Sequence, residues 1–160
     1  MTTIVYRDGI LAADSRAYSG AQTPIGTKHK IGALSDGTLV AISTTMPGLS
    51  ERVMQFLEAG LAGGYEDNAG PEPDVLRDNF TMLLVDPEGQ VFYASNSMML
   101  SGPLEAECFA IGSGCEYALG AMYAGADAVS AVQAAIKGDP YTGYPVISIN
   151  QVTKEVSKLG

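Results

Sequence analysis

The sequence predicts an α+β layered fold in which antiparallel strands and helices occupy separate blocks. Three observations carry that expectation. Short apolar runs are separated by the turns Asp8-Gly9, Asp36-Gly37 and Asp86-Pro87-Glu88-Gly89, and Asp-Gly between apolar runs is a strong hairpin signal. Two Ala-rich stretches of helical character follow one another in the second half of the chain. The block order is strands, helix, strands, two helices, strands, which is not the βαβ alternation of a parallel sheet.

Residues 2–6 read as the first strand, Arg7-Asp8-Gly9 as a tight turn and residues 10–14 as the returning strand. Residues 15–28, rich in Gly, Ser, Thr and Pro, read as a loop. A third strand at 30–34, the turn Ser35-Asp36-Gly37 and a fourth strand at 38–43 make a second hairpin. Residues 48–59 are expected to form the first helix, with Ser50 as N-cap and Val53, Met54, Phe56 and Leu57 as its apolar face. Gly60, Gly63, Gly64, Gly70, Pro71 and Pro73 break the periodicity of residues 61–78, which read as a loop with a turn at 74–77. A third hairpin joins 80–85 to 90–94, and 109–111 form a short strand entering Gly112-Ser113-Gly114. Helices are expected at 116–123 and 127–137, with Asp127 placed where its charge suits the N-terminal dipole. The turn Asp139-Pro140-Tyr141-Thr142-Gly143 leads to closing strands at 146–152 and 155–159.

A chain of 160 residues with 46% hydrophobic and 17% charged residues is expected to fold as one domain, residues 1–160, with a sizeable core. No apolar run approaches the roughly 18 residues that span a membrane. No basic segment leads into an apolar one at the start, so no signal peptide and a cytoplasmic location are the expectation. The net charge is −9, and from Glu66 to Glu107 nine carboxylates face one base, Arg77. That balance disfavours nucleic acid, whose affinity rests on Lys and Arg neutralising phosphates. Cys108, Cys115 and the single His29 are too few for a four-ligand zinc site, and the thiols are expected to be reduced. A Ser-His-Asp triad would have to use His29, which sits between Lys28 and Lys30 with nothing nearby that marks it as a triad member.

Thr2 is the first candidate functional residue. A small second residue lets a methionine aminopeptidase remove Met1, which leaves Thr2 with a free α-amine beside its hydroxyl. Nucleophile and base then share one residue, and the amine's reference pKa of roughly 7.7–8.0 suits a base. Thr2-Thr3-Ile4-Val5 is also an ordinary strand sequence. Four further pieces stand out: Ala13-Asp14-Ser15-Arg16-Ala17, Lys28-His29-Lys30-Ile31, Ile111-Gly112-Ser113-Gly114 and Asp139-Pro140-Tyr141-Thr142-Gly143. Each alone reads as a strand end, a solvated lysine or a turn.

Together, in this order, these pieces resemble the threonine-type N-terminal-nucleophile (Ntn) hydrolases, the family of proteasome β-subunits and HslV-like proteases. The resemblance runs along almost the whole chain. It implies a four-layer αββα sandwich of two antiparallel sheets flanked by helices. It implies Thr2 as nucleophile, Asp14 as the aspartate that holds the catalytic lysine, and Lys30 as that lysine, with Lys28 the alternative. Ser113 matches the serine near the nucleophile's amine, and Asp139 and Thr142 complete the hydrogen-bond network. Ala17, Lys28 and Met46 are expected to line the substrate pocket, Lys28 favouring an acidic or polar side chain. Peptide-bond hydrolysis without metal or organic cofactor is implied, in a self-assembled homo-oligomeric ring that takes polypeptide substrates from an ATP-dependent unfoldase.

Two departures accompany the match. The family's Ala-Gly motif after the fourth strand reads Ala41-Ile42-Ser43-Thr44-Thr45-Met46-Pro47-Gly48, so the oxyanion donor is expected near Thr45 or Met46, and Pro47 has no N–H to give. The Gly- and Pro-rich residues 60–73 stand where the family has a second long helix. The alternatives are a catalytically silent assembly protein of the same fold and an amidase acting on a small amide, and fold alone does not decide among them.

Overall fold

The computed structural model describes residues 2–20, 23–67 and 80–160, with the backbone alone for 61–67. The first hairpin joins β1 (Thr3–Arg7) to β2 (Ile10–Asp14). Asp8 and Gly9 both adopt positive φ, 50° and 76°, as a two-residue hairpin turn of this twist requires. β10 (Cys108–Gly112) pairs with β1, and β11 (Val146–Asn150) pairs with β2 and with β12 (Val156–Leu159). This gives one five-stranded sheet in the order β10-β1-β2-β11-β12. The other has the order β5 (Ile31–Ala33), β6 (Leu39–Thr44), β7 (Phe80–Val85), β8 (Val91–Ser95) and β9 (Ser101–Leu104). Neighbours in both sheets are antiparallel.

Strand alternation sends successive side chains to opposite faces, and both faces of the central strands are apolar. Ile4, Leu11 and Ala13 of the first sheet pack with Leu39, Ala41 and Leu83 of the second. The intervening residues Val5, Ala12 and Val146 turn outward onto α2 (Cys115–Tyr123) and α3 (Ala128–Gly138). On the other sheet Val40, Ile42 and Met82 turn outward onto Leu49, Val53 and Leu57 of α1 (Leu49–Asp67). The fold is therefore mixed, with antiparallel sheets in a sandwich and helices on their outer faces. Asp127 caps α3, its carboxylate accepting from Ser130 N at 2.7 Å. No helix of the described residues is long and apolar enough to cross a membrane.

Three sequence expectations need correction, and one strand stands where none was expected. Residues 15–28 contain a second, small hairpin, β3 (Arg16–Ser19) with β4 (Thr23–Thr27), bulged between Ala17 and Tyr18. Its strands are short and largely exposed, so no buried alternation announces them. β9 carries no apolar pattern either, being exposed throughout. Ser50 is inside the first turn of α1 rather than its cap, and its hydroxyl is engaged by Lys28 and Glu51. Finally, α1 runs on through Gly60, Gly63 and Gly64 to Asp67. Each mid-helix glycine costs only about 1 kcal/mol, which does not by itself end a helix. The turn expected at 74–77 lies outside the described residues.

Leu83 is 1% exposed in the layer between the sheets. Leu83→Ala is expected to lower unfolding free energy by about 2–5 kcal/mol, read from the midpoint of a denaturant titration followed by circular dichroism.

Candidate active site

Thr2 stands at the entrance to β1, and its placement follows from strand register. Thr3 pairs with Gly112, so the end of β10 lies against the Thr2 backbone. Gly112 has φ 97°, and a Cβ there would sit 2.1 Å from the Thr2 carbonyl oxygen. Only glycine fits on both counts. The next residue, Ser113, accepts from Thr2 N through its Oγ at 3.2 Å.

β2 ends on Asp14, which is 1% exposed. A buried carboxylate needs partners, and Asp14 has five. Its Oδ1 accepts from Thr2 Oγ1 at 2.7 Å, Lys30 Nζ at 2.8 Å and Thr3 N at 3.0 Å. Its Oδ2 accepts from Gly143 N at 3.1 Å and Arg16 N at 3.3 Å. Burial pushes the Lys30 ammonium below the ordinary lysine range. Asp14, by charge and hydrogen bond, pulls it back up, and Lys28 and Arg16 push it further down.

A second chain of hydrogen bonds approaches from the other side. Ser113 Oγ donates to Asp139 Oδ2 at 2.7 Å, and Thr142 Oγ1 donates to the same oxygen at 2.5 Å. Thr142 Oγ1 also meets Thr3 Oγ1 at 2.7 Å. All six residues expected to form the catalytic group, Thr2, Asp14, Lys30, Ser113, Asp139 and Thr142, thus join one continuous network. The choice between the two lysines also falls to partners: Lys30 bonds Asp14, whereas Lys28 bonds Ser50 Oγ at 2.9 Å and lies 3.6 Å from Glu51.

Thr2 opens into a cleft of about 310 Å³ whose walls include Arg16, Ala17, Lys28, Lys30 and Met46. The three expected pocket residues therefore share the space that Thr2 reaches. The two expected oxyanion donors differ in their state. Met46 N–H is spent on Thr44 Oγ1 at 3.0 Å, a local turn bond. Thr45 N–H makes no hydrogen bond among the described residues. Sequence reasoning passed over Thr44 itself. Ile42 N donates to Lys30 O at 3.1 Å across the β5 edge, and backbone groups two residues apart in a strand face the same edge. Thr44 N–H, at the end of β6, is thereby turned to the Lys30 side, and Thr44 lines the cleft with Thr2. Counting this parity from the lysine would have found it.

No family model matches the chain, nor does any curated protein. Among solved structures it is similar to Thiobacillus denitrificans BPH in complex with epoxomicin, with a TM-score of 0.62 and 22% identity, over 99% of this chain and 98% of that one. The chain shares that protein's fold.

Breaking the buried pair has a signed consequence. Asp14→Asn leaves the Lys30 ammonium buried without its counter-charge and is expected to destabilise by about 3–5 kcal/mol; Asp14→Asn with Lys30→Met should recover part of the loss. In the native protein Lys30 binds its proton less tightly folded than unfolded. Its contribution to stability therefore rises with pH from the lowered folded value up to the ordinary lysine pKa. In Asp14→Asn that window widens downward. Denaturant titrations across pH 7–10 read both effects.

Proposed function

We propose that this chain is a threonine-type Ntn hydrolase, a single four-layer αββα domain that cleaves peptide bonds with Thr2 as nucleophile once Met1 has been removed. The observation that carries the reading is the position of Thr2. Its Oγ1 is 2.7 Å and Lys30 Nζ 2.8 Å from one oxygen of buried Asp14, and its nitrogen is 3.2 Å from Ser113 Oγ, all at the wall of a cleft. The fold shared with a protein in complex with epoxomicin supports the same reading at the level of architecture.

Met1 removal converts the Thr2 peptide nitrogen into an α-amine. The amine takes the Oγ1 proton as the oxygen attacks the substrate carbonyl, and Lys30 stabilises the developing alkoxide. The tetrahedral oxyanion is met by a backbone N–H at the end of β6. The protonated amine then gives its proton to the leaving nitrogen, which departs and leaves an ester on Thr2. Water, activated by the amine, releases the acid and restores Thr2. The proposed setting is a cytoplasmic homo-oligomeric ring supplied with polypeptides by an ATP-dependent unfoldase.

Intact mass tests the first requirement: loss of Met1, then an increment on exposure to epoxomicin or another peptide epoxyketone. Uniform retention of Met1 would sink the proposal. Thr2→Ala should bring peptide hydrolysis to background, and Lys30→Ala should lower kcat by at least about 10²-fold. The pH profile should have an acid limb below the α-amine reference of roughly 7.7–8.0, because the neighbouring ammonium disfavours the charged amine. Its alkaline limb should fall below the ordinary lysine range, where buried Lys30 loses its proton.

A further inference from the structure

Three cations line the cleft at Thr2: Arg16, Lys28 and Lys30. Two have carboxylates of their own. Lys30 lies 2.8 Å from Asp14, and Lys28 lies 3.6 Å from Glu51 while donating to Ser50. Arg16 forms no ion pair among the described residues, in a chain whose net charge is −9. Its guanidinium carries five N–H donors, yet among the described residues its one hydrogen bond is a long contact of 3.4 Å from Nη1 to the Tyr18 hydroxyl.

The guanidinium is nevertheless held in place. It packs on the backbone of Gly143, where a Cβ would come within 2.1 Å of Nε. Tyr18, which it touches, donates to Pro140 O at 2.8 Å and sets its ring edge-on to Tyr141 at 6.0 Å. A half-buried, pre-oriented guanidinium with unused donors, on a residue that lines the same cleft as Thr2, suits a carboxylate.

We infer that Arg16 is a specificity-determining residue that binds an acidic side chain of the polypeptide substrate close to the scissile bond. This rests on the hydrolase reading and replaces the sequence expectation for Lys28, whose charge Glu51 already offsets. Recognition is by paired N–H···O bonds to the carboxylate. An isosteric amide has one oxygen and no charge, so it is held less strongly.

The test is a set of fluorogenic peptides in which one Glu or one Gln is walked through the residues flanking the cleaved bond. At one position wild-type kcat/KM should favour Glu over Gln by about tenfold. Arg16→Gln should bring that ratio close to one, Arg16→Lys should keep part of it, and Arg16→Glu should turn the preference toward Lys. Thermal melting confirms that each variant is folded, and the ratio is insensitive to a general loss of activity. The inference is overturned if wild type shows no Glu preference at any position. It is also overturned if the ratio survives Arg16→Gln, or if Lys28→Gln abolishes it and Arg16→Gln does not. Should wild type cleave none of the peptides, the hydrolase reading fails separately. The same Glu and Gln peptides are then compared by calorimetric Kd, and equal values overturn the role of Arg16.

Discussion

One buried carboxylate ties the structure together. Asp14 is nearly inaccessible, and five donors converge on its two oxygens. Those donors come from four separate segments: the entrance of β1, the residue after Ser15, the residue before β5 and the turn before β11. No single segment could satisfy Asp14, and each would leave an uncompensated group if displaced. The position of Thr2 is thus fixed by the same interaction that fixes Lys30. A pair of this kind adds little net stability over an apolar replacement, and its value lies in specifying one arrangement of these strands.

Sheet order delivers the remaining parts. The β1-β2 hairpin is central in its sheet, with β10 on one side and β11 on the other. Pairing of Thr3 with Gly112 brings Ser113 to the Thr2 nitrogen. Pairing of Asp14 with Val146 brings the residues just before β11 to the Asp14 carboxylate, so that Gly143 N reaches Oδ2. Lys30 arrives from the other sheet, across the apolar layer that holds Ile4, Ala13, Ile31 and Ala41. Packing between the sheets therefore sets the height at which the ammonium meets the carboxylate.

The legible parts of the sequence were those governed by local chemistry. Asp8-Gly9, Asp36-Gly37 and the turn from Asp86 to Gly89 marked three hairpins because turn geometry selects those residues. The β3-β4 hairpin and β9 were missed because they bury little, so no alternation records them. Lys28 and Lys30 are two apart and project to one side of the chain, which sequence spacing does not resolve. Their partners do: Asp14 for one, Ser50 and Glu51 for the other. Met46 was a reasonable oxyanion donor by position, yet the Thr44 hydroxyl claims its N–H. That bond is local, and the sequence Thr44-Thr45-Met46 held the signal for it.

The direction of the hydrogen bonds around Ser113 bears on how an α-amine could act as base in the proposed reaction. Ser113 has one hydroxyl proton and two acceptors within reach, Asp139 Oδ2 at 2.7 Å and Thr2 O at 3.3 Å. The shorter contact, to a carboxylate that only accepts, takes the proton. The Ser113 oxygen is then an acceptor toward Thr2 N, at 3.2 Å. Thr142 reinforces this sense, since it also donates to Asp139 and so receives its own bond from Thr3. An amine in that position donates one N–H to Ser113 and keeps its lone pair for the Thr2 hydroxyl proton. Reversing the chain, with Ser113 donating to nitrogen, would occupy the lone pair and abolish the base. By holding the Ser113 proton, Asp139 sets the polarity of the bond that the Thr2 nitrogen makes.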